Sequence, residues 1–201
     1  MNVAHIRFFR SIVLAFALSL SSLVSAATPL HNVRGFLPDL NFTLEGVGGK
    51  TVTQDAFKNK AVLMFFGYAS CPDVCPTTLA QLAQVMQKLG PDAKRVSIVF
   101  ISVDPHRDTP EKLQAYVNAF DKNAVGLTGS EQQIADVARR YRVAYQIEKP
   151  STADANDYVV AHGRGVYVFD QKGRARLLAS DANSIQALTD GVLSVLANAR
   201  N

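Results

Sequence analysis

The sequence predicts an α/β protein in which a central mixed sheet is flanked by crossover helices, with a hairpin near each end of the domain. Three observations carry this. Two uninterrupted apolar runs, AVLMFF (61–66) and VSIVFISV (96–103), have the pattern of strands buried on both faces. Each is followed by apolar residues at helical spacing, so strand and helix alternate along most of the chain. Two further strand patterns, 165–170 and 174–179, meet at Lys172-Gly173 as an antiparallel pair.

In chain order, the first 27 residues differ in kind from the rest. Arg7 and Arg10 precede an apolar run from Ile12 to Val24 that ends in Ser25-Ala26-Ala27, the pattern of a secretory signal peptide. The run is shorter than the roughly 20 residues that span a bilayer, which favours cleavage; the other reading is a retained anchor. No cysteine follows it, so the junction is not a lipoprotein anchor. Residues 28–39 mix Pro, Gly and polar residues without periodicity and read as a tether, with the domain proper expected over 40–201.

LNFTL (40–44) alternates like a strand, and Gly46, Gly48 and Gly49 turn the chain toward a second extended piece at Thr51-Val52, a starting hairpin. After the first apolar strand, Leu79, Leu82, Ala83, Met86 and Leu89 mark a helix that Gly90-Pro91 stops. Pro76 is expected at its first position, with Cys75 as its cap and Cys71 in the loop before it. After the second apolar strand, Thr109 and Pro110 form a cap and first turn for a helix carrying Leu113, Tyr116, Val117 and Phe120. A short strand at 124–127 precedes a capping-box pair, Ser130 and Gln133, and a helix with Ile134, Val137, Ala138 and Tyr141. The closing helix presents Ile185, Leu188, Val192 and Leu196.

The formal net charge is +4, and loss of residues 1–26 removes two arginines and no acids, leaving +2. A field that weak does not point to nucleic acid. No repeat or low-complexity tract is present, so function is expected in a local site.

Both cysteines, Cys71 and Cys75, fall in one stretch, FFGYASCPDVCPTTL (65–79), at the junction of a buried strand and a helix. Ligand chemistry in α/β sheets gathers at such junctions. Their spacing is one residue longer than a CxxC dithiol, and a nearby helix N-terminus is expected to lower thiol pKa values. The pair reads as reactive or metal-binding: a redox disulfide, a structural disulfide, or two soft ligands suited to Cu(I) with a third from elsewhere. Zinc suits the same donors. Of the four histidines, His5 lies in the signal segment and His31 in the tether, which leaves His106 and His162. His106, in the polar DPHRDTP loop, reads as solvated or locally bonded. His162 stands between small residues after an apolar stretch, and its position alone fits a structural residue as well as a ligand.

FFGYASCPDVCPTTL, FISVDPHRDTPEKLQAY, GLTGS followed by a helix and YRVAY, and YVVAHGRGVYVFDQKGR occur in this order over roughly residues 36–197. Together they resemble the Sco/SenC family, the copper-binding assembly factors of cytochrome c oxidase. The resemblance implies a thioredoxin-like fold and a copper site, for Cu(I), Cu(II) or both, made of Cys71, Cys75 and His162. It also implies that Cys71 and Cys75 can close as a redox-active disulfide. Asp73 and Asp104 are placed beside the site, with a loop cap and a turn residue as their simpler readings. Many members have an acid before the histidine and Ser or Thr after it, where this chain has Ala161 and Gly163, so support for His162 must come from elsewhere. The implied partners are the copper-accepting subunit of a haem–copper oxidase, a copper donor and a thiol reductant. The implied compartment is the periplasm, with membrane contact only through an uncleaved anchor. Loops 104–109 and 142–157 are expected to supply a docking surface. The alternative function on the same residues is a thiol–disulfide oxidoreductase.

Overall fold

The computed structural model describes residues 30–150, 152–154 and 156–198; the expected signal segment, 1–27, lies outside them. Among the described residues the chain forms β1 (Leu30–Asn32), β2 (Thr43–Gly46), β3 (Lys50–Thr53), β4 (Ala61–Gly67) and α1 (Val74–Leu89). There follow β5 (Val96–Ser102), α2 (Pro110–Asn118), β6 (Val125–Leu127) and α3 (Glu131–Arg140). The chain continues through β7 (Tyr145–Ile147), β8 (Val160–His162), β9 (Val166–Phe169), β10 (Ala175–Ala179) and α4 (Ile185–Asn198).

Six strands form the main sheet in the order β1-β10-β9-β4-β5-β6. β4, β5 and β6 run parallel, joined by crossovers through α1 and α2, while β9 and β10 run antiparallel to their neighbours. This is the thioredoxin-like arrangement. Every residue of β4 and β5 is buried, as their unbroken apolar runs require of strands covered on both faces. α1 packs against α4, and α2 lies so close on β6 that a Cβ on Gly126 would stand 2.9 Å from the Leu113 backbone. β2 and β3 form the expected starting hairpin as a separate two-stranded ladder. No helix among the described residues is long and apolar enough to cross a membrane.

Two helix starts match their sequence signals. Thr109 Oγ1 accepts from the Lys112 N–H with Pro110 in the first turn. Ser130 and Gln133 close a reciprocal capping box, with the Gln133 N–H donating to Ser130 Oγ at 3.2 Å and the Ser130 N–H to Gln133 Oε1 at 2.8 Å.

Three expectations are corrected. The stretch expected as a tether contributes β1, which pairs antiparallel with β10 (Leu30↔Ala179, Asn32↔Leu177), and Val33 joins the core. A three-residue edge strand is too short to display alternation, and the partner edge of β10 supplies what the local sequence does not. Second, α1 begins at Val74 rather than Pro76, so Asp73 holds the cap position and Cys75 is the second helical residue. The first four N–H groups of a helix have no intrahelical acceptor, so Pro76 fits in the third position without losing a bond; the first carbonyl used is that of Asp73, by the Thr77 N–H at 3.2 Å. Third, the stretch expected as a loop over 142–157 contains β7, which pairs with β8 (Tyr145↔His162, Ile147↔Val160).

Candidate metal centre

β4 delivers the chain to Gly67, and the loop 68–73 turns back over the sheet into α1. The Cys71 N–H donates to the Tyr68 carbonyl at 3.2 Å, and the Cys75 N–H points at Cys71 Sγ at 3.5 Å. Cys75 is fully buried and Cys71 half-buried, so Cys71 is the sulfur that solvent reaches. Cys75 Sγ occupies the space over Gly67: a Cβ there would lie 2.6 Å from it.

His162 ends β8 and faces the thiols from the other side. Its Nε2 is 3.3 Å from Cys75 Sγ, and its Nδ1 is 2.9 Å from the Gly163 carbonyl oxygen. A carbonyl can only accept, which assigns the proton to Nδ1 and leaves the Nε2 lone pair directed at the sulfurs. The ring stands edge-on to Phe65 and Tyr68, with centroids 6.1 and 5.9 Å away. Support for His162, expected from elsewhere in the chain, comes instead from the backbone carbonyl of the adjacent Gly163.

The two Sγ atoms and the imidazole nitrogen all lie within 4.8 Å of one another. With bonds of about 2.3 Å to sulfur and 2.05 Å to nitrogen, a trigonal ion needs donors about 3.8–4.0 Å apart. The three atoms therefore accept an ion with shifts of only a fraction of an ångström.

Burial pushes the Cys75 thiol well above its ordinary pKa, and the hydrogen bond from the Tyr68 backbone, which favours the thiolate, offsets only part of this. The expected lowering by the helix terminus is thus overridden at Cys75, because desolvation of a buried thiolate outweighs the partial charge of a helix end. Burial also lowers the pKa of His162, which keeps the imidazole neutral and able to ligate.

The surrounding frame comes largely from the DPHRD segment. Asp108, buried, accepts from the Ala69 N–H at 2.9 Å and from Ser102 Oγ at 2.7 Å, tying the cysteine loop to the end of β5. Asp104, fully buried, accepts from Arg107 Nε and, at 2.7 Å, from the Tyr158 hydroxyl. Sequence reasoning singled out Asp104 but missed Asp108, Arg107, Tyr68 and Tyr158, which carry no periodic or spacing signal. Asp73 is exposed and its side chain makes no capping bond. His106 pairs with Glu131 at 3.0 Å on the surface, bonded locally as expected. The inward ties of Asp104 and Asp108 make the 104–109 loop a support for the site.

The fold and these three donors define a thioredoxin-like protein in which two thiols and one imidazole could hold a metal ion. The chain belongs to the SCO1/SenC family, whose model matches residues 37–197. It is 38% identical over 154 residues to the mitochondrial SCO2 homologue of Bos taurus, covering 76% of this chain and 57% of that protein. Among solved structures, copper-bound ScoI of Arabidopsis thaliana is similar at 35% identity and a TM-score of 0.72, covering 80% of this chain and 98% of that one. Copper-bound ScoI of Bradyrhizobium japonicum is similar at 36% identity and a TM-score of 0.67, covering 77% and 98%.

Proposed function

We propose that this chain is a copper chaperone that holds Cu(I) or Cu(II) through Cys71, Cys75 and His162 and delivers it to the dinuclear copper centre of a cytochrome c oxidase during assembly. The observation that carries the reading is the convergence of two thiols and one neutral imidazole within 4.8 Å, a donor set suited to a soft ion. Copper-bound relatives with the same fold support it. Three ligands leave copper open to attack by an acceptor's ligand, so transfer proceeds by stepwise exchange, and Cys71, the more exposed sulfur, is the natural first to leave. Loading displaces the thiol proton of Cys75, because only the thiolate ligates. The site works in the periplasm, with an oxidase subunit as acceptor and a separate copper donor and thiol reductant upstream.

Anaerobic titration of the reduced chain with Cu(I) against a competing chelator tests this, in parallel with His162→Ala and the Cys71→Ser/Cys75→Ser double variant. One-to-one binding weakened in both variants is expected. Binding indifferent to His162 would sink the three-ligand site.

A second reading has its own observation. The Cys75 N–H lies 3.5 Å from Cys71 Sγ, so the sulfurs are neighbours and can close as a disulfide, releasing two electrons and two protons to a disulfide substrate. As a thiol–disulfide oxidoreductase the chain would turn over without His162 but with neither cysteine dispensable. A turnover assay on His162→Ala and on the single variants Cys71→Ser and Cys75→Ser separates the two functions.

A further inference from the structure

The strand that carries His162 is not part of the main sheet. β7 and β8 pair with each other in a ladder of their own, while Cys71 lies in the turn after β4 and Cys75 in the first turn of α1. The distance between the imidazole and the sulfurs therefore depends on how this ladder is fastened to the body. Burial of Val160 is one fastening, and its N–H reaches the Tyr68 hydroxyl at 3.4 Å.

The other is a cluster around Tyr158, four residues before His162. Arg107 Nη1 donates to the carbonyls of Asn156 and Tyr158, each at 2.8 Å, and Arg107 Nε donates to Asp104. The guanidinium lies 3.6 Å from the centre of the Tyr158 ring and 5.4 Å from that of Tyr68. Asp104 Oδ1 receives the Tyr158 hydroxyl at 2.7 Å. Carbonyl, ring and hydroxyl of one residue are thus all held by two side chains from one loop. The same loop reaches the cysteine side: Asp108 binds the Ala69 N–H, and Lys112 Nζ lies 3.3 Å from Ser70 Oγ. A single segment, 104–112, is fastened to both halves of the candidate centre.

We infer that Asp104, Arg107 and Tyr158 form a clamp that sets the position of His162 against the two sulfurs and so determines whether the bound metal has three ligands or two. The inference rests on the reading of Cys71, Cys75 and His162 as metal ligands. These are positioning residues, acting only through His162. A planar guanidinium suits the task because its fixed fork holds an acid and two carbonyls at once while its face stacks on a ring. Without the clamp the thiols keep their geometry, since Cys71 and Cys75 are set by the 68–75 turn, but the imidazole is no longer held ready.

The test is Cu(I) affinity by chelator competition, with coordination number from the X-ray absorption edge, on the reduced chain and on Arg107→Ala, Tyr158→Phe, His162→Ala and the two combinations with His162→Ala. Arg107→Ala is expected to weaken binding roughly 10- to 100-fold, the range for loss of groups that orient a ligand, and to shift the edge from three- to two-coordinate. Tyr158→Phe, which keeps the ring and removes only the hydroxyl, moves both readouts the same way by less. In the His162→Ala background neither substitution has more than about a twofold further effect, because the clamp has nothing left to position. Unchanged affinity and edge in the variants, or an equal loss with and without His162, overturns the clamp. If Arg107→Ala does not fold, Tyr158→Phe with its combination decides the matter alone. If His162→Ala itself leaves binding unchanged, the ligand assignment fails, and that outcome is distinct from failure of the clamp.

Discussion

Gly67 ends β4 beneath the cysteine turn, and Gly67→Ala isolates what close packing contributes to the site. The added Cβ would meet Cys75 Sγ at 2.6 Å and the Phe100 ring at 2.8 and 3.0 Å, where ordinary contacts start near 3.5 Å. About 1 Å of movement is needed. Phe100 is fully buried on β5 and packed, ring tilted, against Phe65 and Tyr116, so it has little room to give, and the shift falls on Cys75 and the first turn of α1. Overpacking of this size costs about 1–3 kcal/mol, which for a domain of this length lowers Tm by roughly 2–12 °C. On the proposed reading, displacing Cys75 Sγ by about 1 Å would also take it out of bonding reach of an ion held by Cys71 and His162. Thermal unfolding of the reduced, metal-free chain and copper competition on the same samples measure the two effects. An alanine variant with Tm within a degree of the parent and undiminished copper affinity would show that Gly67 is not the floor of the site.

Three further outcomes are expected. The folded pKa of Cys75 is raised by burial, so its stabilising contribution is fully present below the unfolded value near pH 8.5–9 and is lost as pH climbs toward the folded value. Between pH 9 and 10 the reduced chain should lose about 1 kcal/mol of stability relative to Cys75→Ala, and parallel urea-denaturation curves for the two across this range would refute it. Asp108→Ala leaves the Ala69 N–H and the Ser102 hydroxyl without their buried acceptor, at roughly 1–3 kcal/mol each; a change below about 1 kcal/mol in total would mean that water replaces the carboxylate. Ser130→Ala removes half of the capping box of α3 and should cost about 1 kcal/mol by equilibrium unfolding, with no effect on copper affinity, because α3 supplies none of the three donors.

What the sequence made legible follows from the range over which each signal acts. β4 and β5 announce themselves because a strand buried on both faces leaves no polar position, and the caps at Thr109 and Ser130 are local chemistry within one turn. β1 does not, because its three residues exist as a strand only by courtesy of β10, about 150 positions away. α1 starts two residues before Pro76, the expected first position, because any residue of the first turn can lack an N–H where no intrahelical acceptor exists. At the site, the thiols were visible by their spacing, but the imidazole lies 87 residues from Cys75, and only the resemblance to a family joined them. The residues missed, Asp108, Arg107 and Tyr158, look in sequence like a polar turn and a loop tyrosine. Their bonds run between segments up to about 50 residues apart, so their roles arise from topology. The pKa of Cys75 follows the same division: the helix start near it is a local feature and predicts a lowered value, while burial under β4, β5 and α1 is a tertiary one and raises it. On the proposed reading of Cys75 as a metal ligand, the tertiary effect is the useful one: a buried thiol that stays protonated when empty releases its proton to water when a cation binds, which couples loading to proton release.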